Sequence, residues 1–387
     1  MINNKKINLV MFNMSSYNEW LAGIQNRNYH ILQDLLKDER IDQIICVDYL
    51  PHTYKRLIRN FKENILKKSS FKILKHNLFT QVYRVNDKLT VYSSIRSKFS
   101  KAGFYRELKK FLKQQGMDEY LVWSCYPLSV DYFDELKPKL KIFDAVDNWA
   151  EHPSYALFKT KLLKNYQLID QKADVIFLVA NELHQLFNHR EKVHFFPNAV
   201  DLKHYQQEYP LINRDIGDII RPIVGYVGTV QDRFDLELFE FLAKSNPEKS
   251  FVIVGPIWYG EIKKKLLNYK NVYLLGRKSY QEIPMYIQQF DLGIIPHKID
   301  NFSKFTNPMK VYEYLACGKP VVTTAMADLE DFTDVIQVAN DPLQFNQEIN
   351  QSLQKDDGLK EKRLEIVKEH SWLKRVDKML DLIFQKL

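Results

Sequence analysis

In NPMKVYEYLACGKPVV, residues 307–322, Lys310 and Glu313 stand three apart inside a stretch that otherwise reads as a short buried helix running into a buried strand. Asn307 suits an N-cap, and Pro308 suits the first helical position, where no amide donor is needed. Val311, Tyr314 and Leu315 recur at helical spacing and give an apolar face. Gly318 fits the left-handed position past the helix end, and Pro320 keeps the helix from resuming before the strand Val321–Thr324. Lys310 then falls in the first turn, where a cation opposes the helix dipole. A bound anion would account for it, because open amides and the dipole favour one there. A solvated Lys–Glu pair is the plainer alternative.

Further residues of the same chemical character follow other strand candidates. Gly228 and Thr229 come after the run Ile223–Val227, and Arg233 comes shortly after them. Gly276 and Arg277 follow Val272–Leu275. Lys304 lies in the loop that leads to the opening motif. Gly228, Arg233, Lys304, Lys310 and the helix amides together compose a diphosphate cradle. Glu313, a turn deeper, could accept two hydrogen bonds from a vicinal diol such as a ribose presents. In the first half, FDAVDNWAEHP places Asp147 just past a strand with Trp149 beside it. That combination holds sugars by hydrogen bonds and stacking, although Asp147 also reads as an N-cap. Arg27 and His30 lie three apart on a helix, and His30 reads more readily as a packed side chain than as a base. Zinc-ligand spacing, GxSxG, GxxxxGK and GxGxxG are all absent from the sequence.

The elements that must position these residues alternate throughout. Strand candidates in the first half are 7–12, 43–47, 120–125, 141–145, 175–179 and 193–196, with helical patterns between them and a hairpin at 80–93. The second half repeats the alternation with strands at 223–227, 251–254, 272–275, 292–295, 321–324 and 335–338. Short apolar runs separated by helices predict parallel sheets covered on both faces. A chain of 387 residues suits two such domains. The expected division is an N-terminal domain over 1–200, a polar connection over 201–221 and a C-terminal domain over 222–364. A closing helical pattern, 358–386, bends near Ser371-Trp372. Cys46, Cys125 and Cys317 stand alone, which suits a reducing compartment. Ile7–Phe12 is too short for a signal-peptide core and no 18-residue apolar run exists, so a cytoplasmic protein is expected.

Charge is concentrated. The whole chain carries a net +8, yet residues 52–113 alone hold 17 basic and 3 acidic residues. Such a block seeks polyanions. Lys55, Arg56, Arg59, Lys62, Lys67, Lys68, Lys72 and Lys75 alternate with Leu57, Ile58, Phe61, Ile65, Leu66 and Phe71. That is the pattern of a basic amphipathic segment lying on an anionic membrane.

GYVGTVQDRFDLELFEFLA (225–243), FVIVGP (251–256), NVYLLGRKSYQEIPMYIQQFDLGIIPH (271–297) and the opening motif together resemble the GT-B glycosyltransferases near family 4. The likeness extends to bacterial enzymes of envelope polysaccharides such as teichuronic acid. FDAVDNW (143–149), FFPNAVD (195–201) and WLAGIQNRNYH (20–30) are similar as well. The resemblance implies an α/β protein with two Rossmann-like parallel-sheet domains facing across a cleft and a C-terminal helix, 365–387, crossing back to the first. It implies a UDP- or GDP-sugar donor with no other cofactor and no metal. Gly228, Thr229, Arg233, Gly276, Arg277, Lys304, Lys310 and Glu313 would lie on the donor side, with Arg27, His30 and Trp149 on the acceptor side. Asp147, Arg233 and Lys310 would be catalytic. Partners would be a glycan or lipid-linked acceptor and, through 52–113, the inner face of the cell membrane, with no nucleic acid. Two departures from the family pattern stand out. Phe305 occupies the position of a usual glutamate, and Asp147 is the nearest polar residue to where a histidine is usual. Retention at the anomeric carbon is the family expectation, and inversion becomes credible if Asp147 is a base. An epimerase of the same fold, a sugar-binding relative without turnover and a nucleic-acid-binding protein are the competing readings.

Overall fold

The computed structural model describes residues 6–209, 215–354 and 358–387. Residues 1–5, 210–214 and 355–357, which fall in the expected first domain, connection and second domain, lie outside the described residues. The chain divides into two compact units. One comprises the residues up to Phe196 together with Val376–Leu387, and the other is Pro197–Arg375.

The first unit is built on nine strands: β1 (Ile7–Phe12), β2 (Ile41–Val47), β3 (Lys72–His76), β4 (Thr80–Arg84), β5 (Leu89–Ser94), β6 (Leu121–Ser124), β7 (Lys141–Ala145), β8 (Val175–Leu178) and β9 (Val193–Phe195). Their order is β3-β4-β5-β2-β1-β6-β7-β8-β9. All neighbours are parallel except β3–β4 and β4–β5. The parallel strands are continuous apolar runs because helices cover both faces; Leu9, Val10, Val122, Ile142 and Ile176 are fully buried. The hairpin expected at 80–93 is β4–β5. The basic block also contributes a strand that its sequence does not announce. Lys72–His76 pairs antiparallel with β4 and forms the sheet edge, where its lysines discourage pairing with another chain.

The second unit carries six parallel strands: β10 (Ile223–Val227), β11 (Ser250–Val254), β12 (Val272–Gly276), β13 (Leu292–Ile295), β14 (Val321–Thr324) and β15 (Gln337–Ala339). The order is β12-β11-β10-β13-β14-β15. Strand order therefore reverses between β10 and β13, and open α/β sheets bind ligands outside the carboxyl ends at that reversal. The last strand lies slightly later than the expected 335–338. The closing helical pattern is two helices, Lys360–Lys368 and Trp372–Gln385. The break has a physical cause. Val200 inserts its backbone there, donating to His370 O at 3.0 Å and accepting from Trp372 N at 3.1 Å. No described helix is long and apolar enough to cross a membrane.

Candidate functional site

Two loops meet at the strand reversal of the second sheet. One leaves β10 through Gly228 to Arg233, and the other leaves β13 through His297. They are tied together: Asp235 N donates to Pro296 O at 2.9 Å, and Lys298 N donates to Arg233 O at 2.9 Å. The helix Met309–Ala316 follows the second loop and directs Lys310 back toward the first.

Lys310 lies directly against Gly228. A β-carbon added at Gly228 would come within 2.5 Å of Lys310 Cε and 2.9 Å of its Nζ, so any other residue would push the lysine tip from where it lies. The backbone at Gly228, with φ +142°, is a second reason for glycine. Beneath the ammonium, 5.4 Å away, lies the ring of the fully buried Tyr226. Among the described residues Nζ has no hydrogen-bond acceptor and no carboxylate partner. Burial lowers the Lys310 pKa to about 8, with Glu313 pulling it up and Arg233 pushing it down. A cation held in this way is poised for an anion.

Glu313 does not bond Lys310, so the solvated-pair reading fails. Burial pushes its pKa up, against the opposing effects of Lys310 and the nearby Tyr205. Arg233 rests its guanidinium over Phe302 at 5.5 Å and forms no ion pair among the described residues. His297 is buried between these groups. Its Nε2 lies 3.4 Å from Tyr226 Oη, while Nδ1 has no partner among the described residues. Burial, with Lys310 and Arg233 adding to it, holds the ring neutral.

Asn307 is not the N-cap. Its Oδ1 accepts from Asn198 N and from Tyr312 Oη, each at 3.0 Å, while Asn198 Nδ2 donates to Asn307 O at 2.7 Å. The helix starts at Met309 after Pro308, and no side chain caps its first amides. The opening of the helix is thus left to a ligand or solvent. The Gly228 amide is likewise engaged, donating to Val254 O at 2.9 Å, whereas Thr229 N–H meets no acceptor among the described residues. Thr229 rather than Gly228 is the amide open to an anion.

The remaining candidates are placed differently. Lys304 is exposed in a 3-10 turn beside buried Phe305, without a bonding partner among the described residues. Gly276, with φ +68°, and exposed Arg277 end the edge strand β12. Lys278 beside them pairs with Asp215 and covers the Tyr286 ring. In the first unit, Arg27 is buried and grips Asp144 through Nε at 3.0 and 3.1 Å. Trp149 is buried and stacks on Tyr155 at 4.7 Å, which encloses it in an aromatic cluster instead of offering its face to a sugar. His30 is buried edge-on against Tyr29. Asp147 stays partly exposed, with Tyr166 Oη donating to its carbonyl at 3.1 Å. Among the described residues there is no cluster of three His, Cys, Asp or Glu that could hold a metal ion.

Residues 221–355 match the family described as glycosyl transferases group 1, and this segment spans Gly228 to Glu313. TuaH of Bacillus subtilis strain 168, named as a glycosyltransferase of teichuronic acid biosynthesis, is 32% identical over 197 residues, or 47% of this chain and 50% of its own. The chain spans half or less of the length of the curated relatives it matches. Sucrose-phosphate synthase from Thermosynechococcus elongatus superposes with a TM-score of 0.71 at 15% identity, over 98% of this chain and 99% of that one. Anabaena HepE, crystallised with UDP and glucose, superposes with a TM-score of 0.66 at 15% identity, over 98% and 100%. The fold is GT-B. Within this GT-B chain, reading the sequence alone missed Tyr205, Tyr226, Asn198 and the buried His297. The only local signal among them is the Pro296-His297 pair after a strand. The tyrosine and asparagine contacts join distant segments.

Proposed function

We propose that this chain is a glycosyltransferase that moves a sugar from a nucleotide-diphosphate donor to a glycan or lipid-linked saccharide in bacterial envelope polysaccharide synthesis. The observation that carries the reading is Lys310: an ammonium with no bonded carboxylate among the described residues, packed on Gly228 at the strand reversal, with Glu313 one turn on. The diphosphate would take Lys310, Arg233, the Thr229 amide and the opening amides of the helix. Glu313 would hold the ribose hydroxyls. As the sugar–phosphate bond breaks, charge grows on the departing diphosphate, and fixed cations that need no rearrangement lower that barrier. Two such cations supply charge a metal would otherwise bring, so transfer is proposed to be metal-independent. UDP is the favoured nucleotide because HepE was crystallised with it. Retention is the expected outcome, with Asp147 the carboxylate to test as a base on the acceptor side.

The basic block supports placement at the inner face of the cell membrane. The helix Tyr54–Asn60 runs on into a π-helical turn, Phe61–Leu66, and exposes Tyr54, Ile58 and Leu66 among Lys55, Arg59, Lys62, Lys67 and Lys68. Exposed apolar residues among lysines and arginines bind anionic bilayers through both contributions.

The test is thermal stabilisation by UDP, GDP, CMP and ADP, with wild type beside Glu313→Ala. A ligand at a hundred times its dissociation constant adds about 2.7 kcal/mol. UDP is expected to stabilise the wild type and to lose most of that effect in the variant. If none of the four nucleotides stabilises the wild type, the reading is wrong.

Lys310 also gives UDP binding a pH dependence. The free protein loses the ammonium near pH 8, and only the charged form attracts a diphosphate. Affinity is expected to be level below pH 8 and to fall by up to about tenfold per pH unit above it. Lys310→Arg, whose guanidinium does not titrate, should remove this fall. Isothermal titration from pH 6.5 to 9.5 measures it, and an identical fall in both proteins would rule out Lys310 as the titrating group.

A further inference from the structure

A small cavity of about 80 Å³ opens at the carboxyl end of the first sheet. Its lining comes from segments that follow β2 (Leu50–His52), β5 (Ser97) and β6 (Tyr126, Leu128, Ser129), from Lys101 and Tyr105 on the helix Lys101–Gln114, and from Lys161. In this sheet strand order reverses between β1 and β6, so the cavity lies where an α/β sheet offers a ligand site. The space equals roughly three water molecules. That accommodates one tetrahedral oxyanion.

Positive charge gathers around it. Lys161 lines the cavity without a hydrogen-bond or ion-pair partner among the described residues. Lys101 also lines it and pairs with Asp131. Lys98 stands alongside, its Nζ donating to His52 O at 3.2 Å and lying 4.7 Å from the Tyr54 ring. Arg56 approaches from the next helix and donates to Tyr155 Oη at 3.1 Å. The 14-residue helix opens at Lys101, so its positive end adds to the field. Against these stands Asp131, engaged by Lys101 and by Ser129 at 3.4 Å. The crowding disfavours further positive charge. Burial, then Lys101 and Lys98, lower the Lys161 pKa, with Asp131 opposing. Burial, then Arg56, Lys161 and Lys98, hold His52 down at about 4.

The His52 ring is oriented for a ligand. Tyr126 Oη donates to Leu50 O at 2.6 Å, so the contact at 3.3 Å with His52 Nδ1 has the imidazole as donor. Nε2 is left without a protein partner among the described residues, and protonation there would turn it into a second donor.

We propose that this cavity holds a phosphate group, carried by the acceptor or by the lipid that bears it, between Lys161, Lys101 and the His52 ring. Phosphate matches the cavity in size, charge and number of acceptor oxygens. Assigning that phosphate to the acceptor rests on the glycosyl-transfer reading, whereas the phosphate site itself does not.

The experiment titrates glycerol 3-phosphate into the full-length Lys310→Ala protein, which removes the donor-side cation, and follows the His52 ring protons by NMR at pH 6. A bound phosphate raises the His52 pKa from about 4 against the surrounding Arg56, Lys98 and Lys161, so its signal should move toward the protonated position. His52→Gln assigns the signal. Lys161→Gln is expected to weaken the binding by about tenfold, one charge-assisted contact, and Lys164→Gln, exposed on the same helix, is expected to leave it unchanged. A parallel arm uses phosphatidylglycerol vesicles against phosphatidylcholine vesicles. A His52 response to vesicles alone names a lipid headgroup, and a response to free glycerol phosphate names a soluble ester; both support the site. No His52 response in either arm, or equal losses in Lys161→Gln and Lys164→Gln, overturns it. UDP stabilisation of wild type is measured alongside: its loss with the phosphate response intact would sink the transferase reading and leave the phosphate site standing.

Discussion

Lys310→Ala is expected to lower glycosyl transfer by about 10²–10³-fold, the usual effect of deleting one fixed charge stabiliser. It is expected to do so without unfolding the protein. The ammonium rests on Gly228 and the Tyr226 ring with no carboxylate partner among the described residues, and burial lowers its pKa to about 8. Below that pH the folded protein bears a charge it holds less favourably than the unfolded chain does. Stability from this group therefore rises as pH climbs from the folded value toward the ordinary lysine value. Truncation removes the unfavourable charge, so the melting temperature of the empty protein should stay level or rise while UDP stabilisation is lost. A lower melting temperature with UDP stabilisation intact would make Lys310 a packing residue.

Gly255→Ala should be among the most destabilising single changes in the second unit. Its φ is +152°, and an added β-carbon would lie well inside van der Waals contact with the carbonyl oxygen of Gly228. Backbone meets backbone there, so no side chain can swing aside. Strain of about 1–3 kcal/mol and overpacking of about 1–3 kcal/mol act together. The melting temperature should fall by roughly 5–15 °C. The same displacement moves Gly228, whose N–H is anchored on Val254 O at 2.9 Å, and so disturbs the wall against which Lys310 lies. UDP stabilisation should fall in parallel. Gly276→Ala is the control, because φ is +68° but nothing lies within 4 Å of an added β-carbon. It should show strain alone, with a smaller drop. Equal melting temperatures for Gly255→Ala and wild type would contradict the geometry.

Much of the architecture could be read from local patterns, because parallel strands between two helical layers are short apolar runs and helices announce their own period. β10, β13 and β14 lie close to where their Val/Ile runs put them. The basic block was less legible. Lys72–His76 has polar and apolar residues in an order that extends an amphipathic helix equally well, and its strand state depends on pairing with β4. At the site, Lys310 and Glu313 were visible because a cation in a first helical turn conflicts with the helix dipole. Asn307 misled, since its capping capacity was taken by Asn198, more than a hundred residues away in sequence. Arg27 and Trp149 have the chemistry of sugar binders. Their partners, Asp144 and Tyr155, engage them in the interior, and spacing alone does not show which of two uses a guanidinium or an indole serves.

The solitary charge of Lys310 has a kinetic consequence on the proposed reading. A nucleoside diphosphate left after transfer carries one more negative charge than the sugar donor that entered, and it meets the same ammonium. The site should therefore hold its product more tightly than its substrate. Release would then limit turnover, and the rate in a cell would follow how quickly other enzymes clear the spent nucleotide.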